Sequence, residues 1–186
     1  MKIFDIASGR ELHSYKPEAG HSIPSVEFNA KGTHLVASGD SHLVAINIST
    51  GEQTIVSENI GWVAEYRFSP DGRFMATASM TGIIVWDARS WKELRRFGGD
   101  VISGDRGHLA FSRDSRFVAA IDHEGHLRFW DPATGADVHS VGEGLRPVAP
   151  VVFTSDGRVM AQAANGTVRV FGPRRSLMSK PADGDK

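Results

Sequence analysis

The amino-acid sequence predicts an all-β fold in which one four-stranded antiparallel sheet recurs about four times, and three recurring landmarks predict it. Phe28, Phe68, Phe111 and Phe153 lie 40, 43 and 42 residues apart. Each opens one of four blocks that align without gaps: FNAKGTHLVAS, FSPDGRFMATA, FSRDSRFVAAI and FTSDGRVMAQA. A second landmark follows each block, at Ile46-Asn47, Trp86-Asp87, Trp130-Asp131 and Phe171-Gly172, and Phe4-Asp5 lies 42 residues before the first of these. The third falls four residues after the Asp position, at Gly9, Gly51 and Gly135, with Trp91 in its place in the second repeat. A fixed period of this length marks a chain built from one supersecondary unit used several times.

Each unit reads as a meander. In FSPDG, Phe68 ends a strand, Pro70 presets φ for a turn, Asp71 bonds the turn's own backbone and Gly72 supplies the φ > 0 residue. The next strand, Phe74 to Ala78, is apolar and compact. A turn at Thr81-Gly82 leads into Ile83-Ile84-Val85-Trp86, a β-branched run that ends in a large aromatic. After the turn at Ala88 to Trp91, Glu93 to Phe97 has the mixed polarity of an outer edge strand. One such sheet has two apolar faces and cannot bury them alone; stacking sheets around an axis does so. The expected fold is therefore a β-propeller. Ala76, Ala119 and Ala161 are placed at one position of the second strand, where small side chains suit close sheet-on-sheet contact. The bulky residues of the second landmark are each worth roughly 1.5–3 kcal/mol when fully buried.

These blocks resemble the WD-repeat family, whose repeats carry a Gly-His pair, an FSPDG-like turn and a terminal Trp-Asp. The resemblance covers about residues 1–172. It implies a propeller that binds other proteins, and a His, Ser, Asp and Trp hydrogen-bonded to one another inside each blade. The repeats depart from that set. Gly20-His21 precedes the first block but Ile46 replaces its Trp, while the second and third blocks have Trp86 and Trp130 without a well-placed Gly-His. Gly107-His108 falls inside the expected first strand of its repeat. The pattern is that of a divergent, bacterial-type member.

The landmarks divide the chain into 1–16, the last two strands of an incomplete blade; 17–57, 58–98 and 99–142, three blades; 143–172, a blade lacking its outer strand; and 173–186, a polar tail expected to be disordered. Lys2–Ile6 and Val168–Phe171 both read as third strands, so they would compete for one place if Leu12–Tyr15 closed the last blade. The expectation is a segment of a larger ring, with a four-blade unit closing alone or as a dimer as the alternative. Open blade faces would then favour self-association.

Composition narrows the function. With 21 Lys and Arg against 22 Asp and Glu, the formal charge is −1, so no basic footprint for nucleic acid is expected. There is no cysteine, which excludes disulfides and thiolate metal sites. No apolar run approaches the roughly 18 residues of a membrane span, and MKIFDIASGR places Asp5 where a signal peptide has its apolar stretch. No membrane partner and a cytoplasmic location are the expectations.

Catalytic motifs are not evident. His123-Glu124-Gly125-His126 resembles a zinc-protease sequence, but its histidines are three apart across a turn rather than four apart on a helix. Asp71, Asp114 and Asp156 recur at one turn position, about a blade apart, too far for paired-carboxylate chemistry. The Gly-rich run 98–107 carries two acids and lacks the helix and the Lys-Ser/Thr of a phosphate cradle. A catalytic propeller needs acids or histidines at the starts of its innermost strands, and those positions read Ser25, Val63, His108 and Val148. The expected role is a protein-binding scaffold without catalysis, cofactor or metal; the alternative is a sensor or substrate-gating domain of a larger enzyme such as a kinase or hydrolase. Candidate protein-binding residues are Trp91 and one rim of loops carrying His21, Trp62, Met80, His123 and Arg146.

Overall fold

The computed structural model describes residues 1–14, 25–38, 42–58, 60–61, 63–79, 82–99, 108–146 and 150–172. Seventeen strands form five antiparallel sheets among them. A two-stranded sheet joins β1 (Lys2–Phe4) and β2 (Glu11–Ser14). The first blade contains β3 (Ser25–Phe28), β4 (His34–Ser38), β5 (Leu43–Asn47) and β6 (Gln53–Ser57) in that order. The second contains β7 (Val63–Phe68), β8 (Phe74–Ser79), β9 (Gly82–Asp87) and β10 (Glu93–Phe97). The third contains β11 (Ala110–Phe111), β12 (Val118–Ile121), β13 (Leu127–Trp130) and β14 (Asp137–Val141). The fourth has three strands, β15 (Val151–Phe153), β16 (Val159–Gln162) and β17 (Val168–Phe171).

The turns explain the landmarks. Asp5, Asn47, Asp87 and Asp131 each accept backbone N–H bonds from two or three residues further on, which folds the third strand back into the fourth. The N–H of Ser90 bonds Asp87 at 2.6 Å and, with the Ser90 hydroxyl, holds its carboxyl below the usual range. The fourth residue of each turn sits at positive φ: 68° at Gly9, 73° at Gly51, 78° at Gly135 and 59° at Trp91. Three of these turns take the residue without a Cβ cost; Trp91 takes the strain and recovers it by packing.

Strand periodicity makes each middle blade two-sided, so both faces must be apolar. In β8, Phe74, Ala76 and Ala78 join Ile83 and Val85 against Leu109, Phe111, Val118, Ala120 and Trp130 of the third blade. Met75, Ile84 and Trp86 face the other way, against Val36, Leu43 and Ala45 of the first. In the third blade Ala119, Ile121, Leu127 and Phe129 turn toward Val151, Val159 and Ala161 of the fourth. At the outer ends the cover runs out. Val26 and Phe28 are about half exposed on the first blade, as are Val152 and Val170 on the far face of the fourth, where Val168 is more so.

Two expectations need correction. The gapless alignment fails in the fourth blade, and Ala161 is not equivalent to Ala76 and Ala119. Phe28, Phe68 and Phe111 pair with residues seven further on (Leu35, Met75, Val118), but Phe153 pairs with Val159, six further on. The hairpin is closed one residue earlier, by Thr154 N–H to Arg158 C=O, where the other blades close on His34, Phe74 and Phe117. A one-residue slip moves every side chain of β16 to the other face. Here it buries Val159 and Ala161 against the third blade and turns Met160 and Gln162 away, which the seven-residue register would reverse. Second, His108 precedes β11 instead of lying within a strand, because 108–109 is drawn across to Glu65 of the second blade.

Candidate functional site

Two places were picked out by the sequence, the rim of loops and the axial wall, and the structure treats them differently. On the rim, the β12–β13 turn presents His123 to solvent, and Arg146 is exposed nearby in the chain leading to β15. Backbone bonds lace this edge together: Leu145 N–H to Gly125 C=O at 3.1 Å, Arg146 N–H to Gln162 C=O at 2.9 Å and Ala164 N–H to Gly144 C=O at 2.9 Å. Gly125 is required there, since a Cβ would lie 2.7 Å from the Leu145 carbonyl oxygen and its φ is 84°. His123 and Arg146 are thus held on one edge spanning the third and fourth blades. His21, Trp62 and Met80 lie outside the described residues, as do Val148 and most of the Gly-rich run 98–107.

The same turn gathers Asp122, Glu124 and His126, whose ligand-type atoms lie within 4.8 Å of one another. His126, rather than His123, is the histidine brought to the acids, with Nδ1 3.4 Å from each carboxylate. Asp122 is buried and its Oδ1 accepts the N–H groups of Glu124 and His126, so its first duty is to shape the turn. Sequence spacing did not reveal this grouping because alternate residues of a turn share no face until the turn's shape is known.

Trp91 lies at the opposite edge, between β9 and β10. Its ring is partly buried, 5.6 Å from His34 and 6.3 Å from Phe68 in edge-on contacts, and it joins the core between the first and second blades. It fills the junction more than it offers a surface.

The axial wall carries charged residues that the sequence reading passed over. Glu65 of β7 is buried, accepts the N–H of Leu109 at 2.7 Å, lies 3.3 Å from His108 Nδ1 and pairs with Arg67. Arg67 reaches back to Glu27 of β3 at 3.4 Å. Burial pushes the Glu27 carboxyl up, and the Arg67 guanidinium only partly offsets it. A chain of ionic contacts therefore runs from the first blade through the second to the third. The signal in the sequence was Glu65-Tyr66-Arg67 in an otherwise apolar strand. The expected His–Ser–Asp–Trp set is reduced to one bond inside the second blade, Trp86 Nε1–H to Thr77 Oγ1 at 3.1 Å. Thr77 had not been recognised in that role.

Repeat, strand order and blade stacking define a β-propeller of the WD-repeat type. Comparison with known proteins agrees. The chain is 29% identical over 171 residues to WD repeat-containing protein SL1-17 of Schistosoma mansoni, covering 88% of this chain and 55% of that protein. It is 26% identical over 149 residues to an uncharacterized WD repeat-containing protein of Synechocystis, covering 77% and 42%. The chain thus spans about half the length of the curated relatives it matches. Among solved structures, the RRP9 WD40 repeats superpose with a TM-score of 0.69 at 20% identity, over 86% of this chain and 49% of that one. The computationally designed Ika4 protein gives 0.71 at 21%, over 88% and 98%. No protein-family profile matches the chain. The chain carries WD-repeat propeller blades.

Proposed function

We propose that this chain is a scaffold that binds other proteins through the edge carrying His123 and Arg146, without chemistry of its own. One observation carries the reading: the acids and bases of the axial wall, Glu27, Arg67, Glu65 and His108, engage one another across three blades, whereas the edge residues project from a laced, well-anchored rim. Groups held in structural ion pairs are poor general acids or bases, and rigidly anchored exposed side chains are good recognition elements. The similarity to WD repeat-containing proteins supports the same reading.

The test is affinity capture with the intact chain, a His123→Ala/Arg146→Glu variant, and Arg113→Glu as a control at the opposite edge. Partners held by the unmodified chain are expected to be lost with the first variant and kept with the control. Substrate turnover in a hydrolase and kinase screen that disappears in Glu65→Gln would overturn the reading and place chemistry on the axial wall.

A further inference from the structure

Between the third and fourth blades lies a cavity of about 380 Å³ lined by Phe117, Phe129, Val141, Phe153, Val159 and Phe171. Asp114 and Asp156 also line it, and so does His139, whose Nε2 is buried without a hydrogen-bond partner among the described residues. Gly172, the last described residue, forms part of the wall. We propose that this cavity is the seat of the chain's own segment 173–178, PRRSLM, with Leu177 and Met178 in the apolar pocket and Arg174-Arg175 facing Asp114 and Asp156.

Space, reach and charge agree. At roughly 30 Å³ per atom-sized group the cavity holds about a dozen heavy atoms, and the two side chains bring about eight. Leu177 is five residues beyond the cavity wall, so it reaches any point within roughly 17 Å even at full extension. Tethering at that distance gives an effective concentration in the millimolar range, which an untethered ligand must exceed to compete. The two arginines meet two carboxylates, with Arg113 the one opposing charge among the lining residues. The backbone and Ser176 supply acceptors and donors for the orphaned His139 Nε2. The second blade sets a precedent: Trp91, five residues beyond Trp86, turns back into the junction with the preceding blade, and residue 176 stands five beyond Phe171.

The absence of cysteine makes the test direct. In the full chain, Val141→Cys is combined with Leu177→Cys, and in a control Val152→Cys, on the far face of the fourth blade, is combined with Leu177→Cys. Under mild oxidation the first pair is expected to form an intrachain disulfide at least tenfold faster than the control, read by non-reducing electrophoresis and peptide mass. Equal rates in both pairs, or a disulfide between chains in the first, would overturn the proposal, the latter in favour of a second copy. A second reading uses Leu177→Asp/Met178→Asp in the full chain, with the unfolding curve checking the fold. Binding of a hydrophobic dye is expected to rise severalfold as the pocket opens; unchanged dye binding overturns the proposal.

Discussion

The junction between the second and third blades and the junction between the third and fourth are built from corresponding strands and closed in different ways. In the former, Trp130 is 2% exposed and stacks on Phe97 with ring centroids 5.4 Å apart, while Glu65 ties the inner strands together. In the latter, Phe171 stands where Trp130 does and Val141 where Phe97 does, and the cavity opens beside them. The inner strands there carry no counterpart of Glu65: Val152 stands beside β16 with its side chain exposed. Blade packing is therefore not uniform along the repeat. Large aromatics and one buried carboxylate make the middle of the chain tight, and smaller residues leave its last junction loose.

The most severe way to break the tight junction is Trp130→Ala. It removes a stacked, buried aromatic from a filled core and is expected to cost about 3–5 kcal/mol. Phe171→Ala removes the corresponding ring from the margin of an existing cavity and is expected to cost less than half as much. Urea unfolding of both variants checks this; equal losses would mean that the two junctions are energetically alike.

Glu65→Ala comes next. It leaves the buried Leu109 N–H without an acceptor and His108 and Arg67 without their shared partner, at about 2–3 kcal/mol. Glu65→Gln keeps an acceptor for Leu109 and should recover more than half of that loss. If Gln and Ala lose the same stability, the charge rather than the hydrogen bond ties these blades.

How much of this was legible beforehand can be argued residue by residue. Apolar alternation and turn chemistry are local, so the strands, the Asp and Gly turns and the three-stranded last blade were all readable. The register of the last hairpin was not. FTSDGRV has the same length as FSPDGRF, and only the competition between burying Val159 with Ala161 or Met160 with Gln162 selects the shorter closure. Glu65 was missed because its value depends on a Leu109 N–H that is 44 residues away. Trp91 was rightly noticed as standing where others have glycine, but its ring turns into the junction because His34 and Phe68 lie there. The edge formed by His123 and Arg146 depends on lacing between 142–146 and the β12–β13 and β16–β17 turns, which no single segment encodes.

The hairpin turns sharpen the comparison at a smaller scale. Gly72 has φ 70° and Gly157 φ 81°, so Gly72→Val and Gly157→Val should each cost about 1–2 kcal/mol. Arg73→Ala beside the former should stay within about ±0.5 kcal/mol. The Gly157 change is expected to be the milder of the two glycine substitutions, because the loose junction beside it yields more readily. The reverse order in urea melts would show that the short closure of the last hairpin, not the cavity, governs its stability.

The smallest expected effect is Glu27→Gln, and its sign carries the information. Burial holds the Glu27 carboxyl above its ordinary range despite Arg67, so the folded chain binds this proton more tightly than the unfolded chain. Stability from this group is then fully present below the unfolded value and falls as pH rises through the raised folded one. At neutral pH ionised Glu27 weakens the fold slightly, and a neutral glutamine of the same shape relieves it. The variant should therefore be more stable than the parent at pH 7, by less than about 0.5 kcal/mol, and the gap should close below about pH 4, where both side chains are uncharged. Asp71 and Asp87, both held below their usual range, weaken parent and variant alike in acid. At Asp71 burial acts in the opposite direction and is outweighed by the Ser69 hydroxyl and the Arg73 N–H. Subtracting the two stability–pH curves cancels these shared losses and isolates Glu27. A variant less stable than the parent at pH 7 would mean that the Arg67 pair outweighs desolvation, and that the ionic chain along the axis strengthens the first junction as well as the second.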